Sequence, residues 1–108
     1  MGLDQERTLD AISLREPKNV VVLTILDSWD WDNEAAHLIA LQAKKNTYLE
    51  FIESGQIVSS YPYAIGRALM IDVAFRFPPS ENGVTFLQTA SKVCGQVGVQ
   101  LGWEHIPA

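Results

Sequence analysis

The run Asn19-Val-Val-Val-Leu-Thr-Ile-Leu-Asp27 constrains the fold more than any other stretch of this chain. Val20, Val22 and Leu26 alternate with Val21, Leu23 and Ile25, so a strand here is apolar on both faces. Such a strand belongs inside a sheet, with helices over one side and partial cover on the other. The segment AISLRE before it, residues 11–16, also reads as a strand. Pro17, Lys18 and Asn19 supply turn residues between the two, and the pair predicts a hairpin.

A long helical pattern follows from about Asn33 to Ser54, and Gly55 ends it as a glycine at C′ does. At 100° per residue Leu38, Leu41, Tyr48, Leu49 and Ile52 form one stripe, with His37 at its margin. Lys45 falls near the stripe's centre. A buried ammonium needs a partner, whereas a lysine that packs its stem and extends its head to water does not; the second arrangement is the expectation. After the loop GQIVSSYPYAIGR, residues 55–67, the segment ALMIDVAFRF sets Leu69, Ile71, Val73, Phe75 and Phe77 against Met70, Asp72, Ala74 and Arg76. This is a one-sided strand whose second face is half polar. Pro78 and Pro79 break it, and Ser80 is placed to cap a second amphipathic helix through Leu87, Ala90, Cys94 and Val97 that stops at Gly98. VQLGWEH reads as the last strand. The order ββαβαβ predicts an α+β, two-layer sandwich: a four-stranded, mainly antiparallel or mixed sheet with two helices on one face, in a single domain over residues 1–108.

With 108 residues and 47% hydrophobic content, one core is expected. A chain of this size buries roughly two-thirds of its unfolded surface and needs neither a disulfide nor a structural metal to fold. Its one cysteine, Cys94, lies on the apolar face of the second helix and reads as a small core residue, which suits a reducing compartment. The opening residues are acidic and lack an apolar leader pattern, and Glu6 stands where a myristoylation motif needs Ser or Thr. The longest aliphatic run is too short to cross a bilayer, so the expectation is a cytoplasmic protein with no membrane partner. The net charge is −5 and no basic cluster exceeds Lys44-Lys45, which argues against nucleic acid as a partner.

Most of that charge lies in one place. DSWDWDNEAAH, residues 27–37, holds Asp27, Asp30, Asp32 and Glu34 around Trp29 and Trp31, with no base. Three readings compete. Asp30 or Asp32 caps the helix, with Glu34 favoured by the helix dipole and a tryptophan packing across the helix start like a hydrophobic staple. Alternatively the carboxylates converge on a cation, although the glycine and distal glutamate of a calcium loop are missing. A third possibility is recognition of a partner.

The segment from Leu23 to Ile57, with its Asp-Trp-Asp before a helix ending Phe-Ile-Glu-Ser-Gly, and the following YPYAIGR resemble a family of small uncharacterised bacterial proteins, a domain of unknown function. The resemblance covers nearly the whole chain. It implies a bacterial cytoplasmic origin and carries over no site residue.

Other chemistry is thinly represented. His37 and His105 are far apart and lack metal-ligand spacing, no serine has a nucleophile-elbow context, and GQVGVQLG has no strand, glycine loop and helix in the order a phosphate cradle needs. No cofactor, catalytic residue or resident metal is implied. The favoured expectation is a non-catalytic interaction or regulatory module that forms a homodimer and offers an acidic, tryptophan-bearing surface, made of Asp27, Trp29, Asp30, Trp31, Asp32, Glu34, His37 and Arg67, to a basic protein. The alternative is a metal-dependent hydrolase or small-ligand binder using the same loop, with Arg67 and His37 facing the substrate. Converging carboxylates favour the second, splayed ones beside an apolar patch the first.

Overall fold

The computed structural model describes residues 2–107. The elements are β1 (Ala11–Arg15), β2 (Val20–Asp27), α1 (Glu34–Glu53), α2 (Gln56–Ser60), a 3-10 turn (Pro62–Ala64), β3 (Ala68–Phe75), α3 (Glu81–Gln96) and β4 (Val99–His105). The four strands lie in the order β1-β2-β3-β4. β1 runs antiparallel to β2, while β2 and β3, and β3 and β4, run parallel. The sheet is therefore mixed. A parallel pair needs a crossover of a dozen residues or more, and α1 and α3 supply the two.

Segment 55–67, expected as loop, is largely helical. Gly55 takes a left-handed conformation, φ 82°, that turns the chain out of α1 and into α2. Ile57 and Ala64 are then buried in the core, and Tyr61 packs edge-on against Phe51 and Tyr63. Phe77 lies beyond β3 and is exposed.

One apolar cluster forms the core. It takes Val21, Leu23 and Ile25 from β2, Ile71, Val73 and Phe75 from β3, and Val99 and Leu101 from β4, with Leu41, Tyr48 and Leu49 from α1 and Leu87, Ala90 and Cys94 from α3. Strand residues alternate sides, so these share one sheet face. Val22 is fully buried but lies on the other face, outside the cluster.

α1 is rolled relative to the expected stripe. His37 and Lys44 are buried with Leu41, Lys45, Tyr48 and Leu49, whereas Leu38 is only half-buried and Ile39 is exposed. The cause is a pair of buried acids. Asp27 and Asp10 draw His37 and Lys44 inward, because a buried carboxylate is stable only when a donor or cation meets it. Lys45 keeps a buried stem, and its nitrogen is not among the buried atoms that lack a partner, as expected of a lysine reaching water.

Lys44 fastens the segment that precedes β1. Its ammonium donates to Asp10 Oδ1 at 3.0 Å and to the carbonyls of Gly2 and Gln5 at 2.9 and 2.6 Å. Asp10 Oδ1 also accepts from Gly2 N–H, and Oδ2 from Leu26 N–H. Tyr48 Oη accepts from Asp10 N–H and donates to the Thr24 carbonyl. Leu3 is thereby held in the core cluster beside α1.

Candidate functional site

The acidic loop joins the carboxyl end of β2 to α1. Its short polar side chains bond the backbone just ahead of them, in steps of three. Trp29 N–H donates to Asp27 Oδ1 at 3.1 Å, Asp32 N–H to Asp30 Oδ1 at 3.0 Å, and Ala36 N–H to Asn33 Oδ1 at 3.3 Å. The last of these is the helix cap. Asn33 thus takes the place expected of Asp30 or Asp32: Asp30 is spent on a turn of its own, and Asp32 is exposed with no side-chain bond among the described residues.

The loop closes over His37. Its Nδ1 lies 2.9 Å from the Asp30 carbonyl oxygen, which only accepts, so Nδ1 carries a proton. Nε2 lies 2.5 Å from Asp27 Oδ2, with one proton between them. Burial pushes the Asp27 carboxyl above its ordinary range, against the hydrogen bond and charge of His37. Trp31 stacks on the imidazole with ring centroids 3.7 Å apart, and Trp29 tilts against it at 5.7 Å. Trp31 stands two residues before the cap and His37 is the fourth of the helix, so their stack is a variant of the expected staple. Gly83, in the first turn of α3, makes room for it: a Cβ there would come within 2.8 Å of the Trp31 ring.

Both side chains of the Asp27–His37 pair are fully shielded from solvent, and both ring nitrogens are committed. The arrangement therefore offers no free general base. Nor do the other acids join it. Asp30 and Asp32 are exposed, and Glu34 accepts from the Asn82 amide at 2.8 Å, which with Ser80 holds its carboxyl below the usual range. Among the described residues no three His, Cys, Asp or Glu side chains are grouped to hold a metal ion. Trp29 and Trp31 are half-buried against the core, so the aromatic exposed beside the loop is Phe77, whose carbonyl lies 3.5 Å from Trp31 Nε1.

Arg67 is elsewhere. It donates to Asn19 Oδ1 at 2.7 Å and to the Tyr63 carbonyl, at the amino end of β3. Val20 pairs with Ala68 and Asp27 with Phe75, so the length of a strand, about 23 Å at 3.3 Å per residue, separates Arg67 from the loop. Arg67 and His37 do not share a site. Cys94 is fully buried, and burial pushes its thiol up, away from the reactive form.

Sequence reading missed two ionic groups. One is the Asp10–Lys44–Tyr48 network. The other lies on the sheet face opposite the core, where Arg15 of β1 approaches Asp72 of β3 and Glu104 of β4. Its signal in the sequence was a lone acid, Asp72, in the interior of an otherwise apolar strand.

The sequence matches the family of unknown function DUF6572 over residues 1–107, and the chain belongs to that family. No curated protein and no solved structure matches it.

Proposed function

Membership of that family brings no assigned activity, and from the chain's own geometry we propose a non-catalytic interaction module that pairs with a second copy of itself. The observation that carries this reading is the β4 edge. β4 is the last strand of the sheet, and its outer backbone groups have no strand partner among the described residues. Trp103 of this strand is 37% exposed, and Val93 of α3, which packs on β4, and Val97 at its C-cap are 43% and 47% exposed. Pairing β4 with its symmetry mate about a two-fold axis would satisfy that edge and cover all three side chains.

The sheet face opposite the core is a poorer dimer surface than its composition suggests. Val22 is fully buried there, and Arg15, Asp72 and Glu104 place charge across its middle. The acidic loop supports a second contact, with a basic protein. Asp30 and Asp32 stand exposed, and Asp30 shares a groove with Phe77. Because Asp27 and His37 are sealed together, the hydrolase alternative lacks the histidine it would place before a substrate. A bacterial cytoplasmic setting completes the reading; among the described residues no helix is long and apolar enough to cross a membrane.

Sedimentation equilibrium tests the dimer. The expected result is a mass rising with concentration toward twice 12.0 kDa, with Trp103→Lys remaining at 12.0 kDa and keeping its circular dichroism. A single 12.0 kDa species of unmodified protein at every micromolar concentration overturns it.

A further inference from the structure

The cluster on the sheet face opposite the core is electrically incomplete. Arg15 Nη2 lies 3.6 Å from Asp72 Oδ2 and 4.0 Å from Glu104 Oε2, attractive separations that are too long for hydrogen bonds. Asp72 is only 3% exposed, yet its Oδ2 has no hydrogen-bond partner among the described residues. A buried carboxylate oxygen in that condition is costly, and two carboxylates here share one guanidinium. Two grooves lie on this side of the sheet, one lined by Arg15, Glu16 and Lys18 with Val20, Val22 and Met70, the other by Asp27 and Arg76 with Leu26, Ala74 and Ile106.

Gly102 of β4, paired with Asp72, lets Met70 close over this ground. A Cβ there would stand 3.6 Å from Asp72 Oδ1 and would meet Met70 Cε at 2.5 Å. The absence of a side chain gives this space to the tip of Met70, so what lies beside the carboxylate here is a flexible side chain rather than backbone.

We infer that Asp72 and Glu104 form the receiving site for an arginine or lysine side chain of a basic protein partner, whose flanking residues lie in the two grooves. Charge complementarity selects this occupant. A guanidinium carries five donors in a planar fork and can bond both carboxylates at once, which Arg15 does not do. A second copy is a poor occupant, for it brings the same surplus of carboxylate and a net charge of −5. The inference rests on the reading of this chain as an interaction module, and it uses a side-chain face of β4 rather than its outer backbone edge.

At acid pH a proton takes the place the cation would fill. Burial, with Glu104 alongside, raises the Asp72 carboxyl from 3.8 to about 6, against the pull of Arg15. An incoming cation must displace that proton, so binding strengthens as pH rises through about 6.

The test is a titration of the ¹⁵N-labelled chain, followed by amide shifts, with an acetylated and amidated pentapeptide bearing one central arginine, and with its citrulline counterpart. Saturable shifts centred on Asp72, Gly102 and Glu104 are expected with the arginine peptide alone, weakening about tenfold from pH 7.5 to pH 5. Glu104→Gln and Asp72→Asn should each weaken them severalfold; Glu104 is half exposed, so its variant keeps the test open should the other misfold. Equal responses to the two peptides at one fixed protein concentration, or shifts centred on residues 30–34, overturn the inference. If sedimentation shows a dimer and the arginine peptide gives no response, this inference fails and the edge reading stands. A protein that stays monomeric and binds the peptide sinks the edge reading and upholds the receiving site.

Discussion

Asp10 and Asp72 are carboxylates buried in the same small fold, and their surroundings treat them in opposite ways. Asp10 accepts from Gly2 N–H, Leu26 N–H and Lys44 Nζ at 2.7, 2.9 and 3.0 Å, and Lys44 spends its remaining donors on two carbonyls. Every partner is supplied from within the chain. Asp72 has Arg15 at 3.6 Å and an oxygen with no hydrogen bond among the described residues. A closed ionic network holds a fold together, because opening either half strands a charge in a dry place. An open one stores a cost that something from outside can relieve.

The largest effect should come from breaking the closed network. Lys44→Met is expected to lose about 3–5 kcal/mol in urea unfolding, since Asp10 then stays buried without its cation. A loss under about 1 kcal/mol would erase the distinction between the two acids. Tyr48→Phe removes the acceptor for Asp10 N–H and the donor to the Thr24 carbonyl, and about 2 kcal/mol should go with them. The same unfolding curves measure it.

Asp72→Asn sharpens the comparison through its sign. The folded-state value near 6 lies above the ordinary 3.8, so the stabilising contribution of this carboxyl is complete below about pH 4 and is lost as pH rises through about 6. The variant should therefore be the more stable protein at pH 7.5, by on the order of 1 kcal/mol after screening by Arg15 and water, and the advantage should vanish near pH 4. Thermal melts across that range decide it; a variant less stable at pH 7.5 would mean that the ionised acid is well served by Arg15 after all.

The smallest effects divide the acidic loop. Asn33→Ala should cost about 1 kcal/mol as the true cap, whereas Asp32→Ala, an exposed acid whose side chain makes no bond among the described residues, should stay within about 0.5 kcal/mol. The reverse order would restore Asp32 as the cap.

The helix cap, expected at Asp30 or Asp32 and found at Asn33, shows where sequence reading stops. Asp30, Asp32 and Asn33 all carry an oxygen able to accept the helix's first amides, and the residues themselves do not rank them. The choice falls to Asn33 because the Asp30 carbonyl is drawn to His37 and Trp31 lies down on the imidazole, which fixes where α1 begins. The rotation of α1 has the same origin. A wheel of apolar residues cannot foresee that Asp10, 34 positions away, will pull Lys44 into the interior.

Local order was written in the chain itself. The apolar alternation of β2, the caps at Ser80 and Gly55, and the span of VQLGWEH each depend on neighbours a few residues apart, where steric preference and periodicity act directly. Tertiary structure decided which charges are buried and whether they are paired. Arg15, Asp72 and Glu104 meet only because β1, β3 and β4 lie in one sheet at one register, and the pairing of a charge depends on distances between strands that no spacing along the chain encodes.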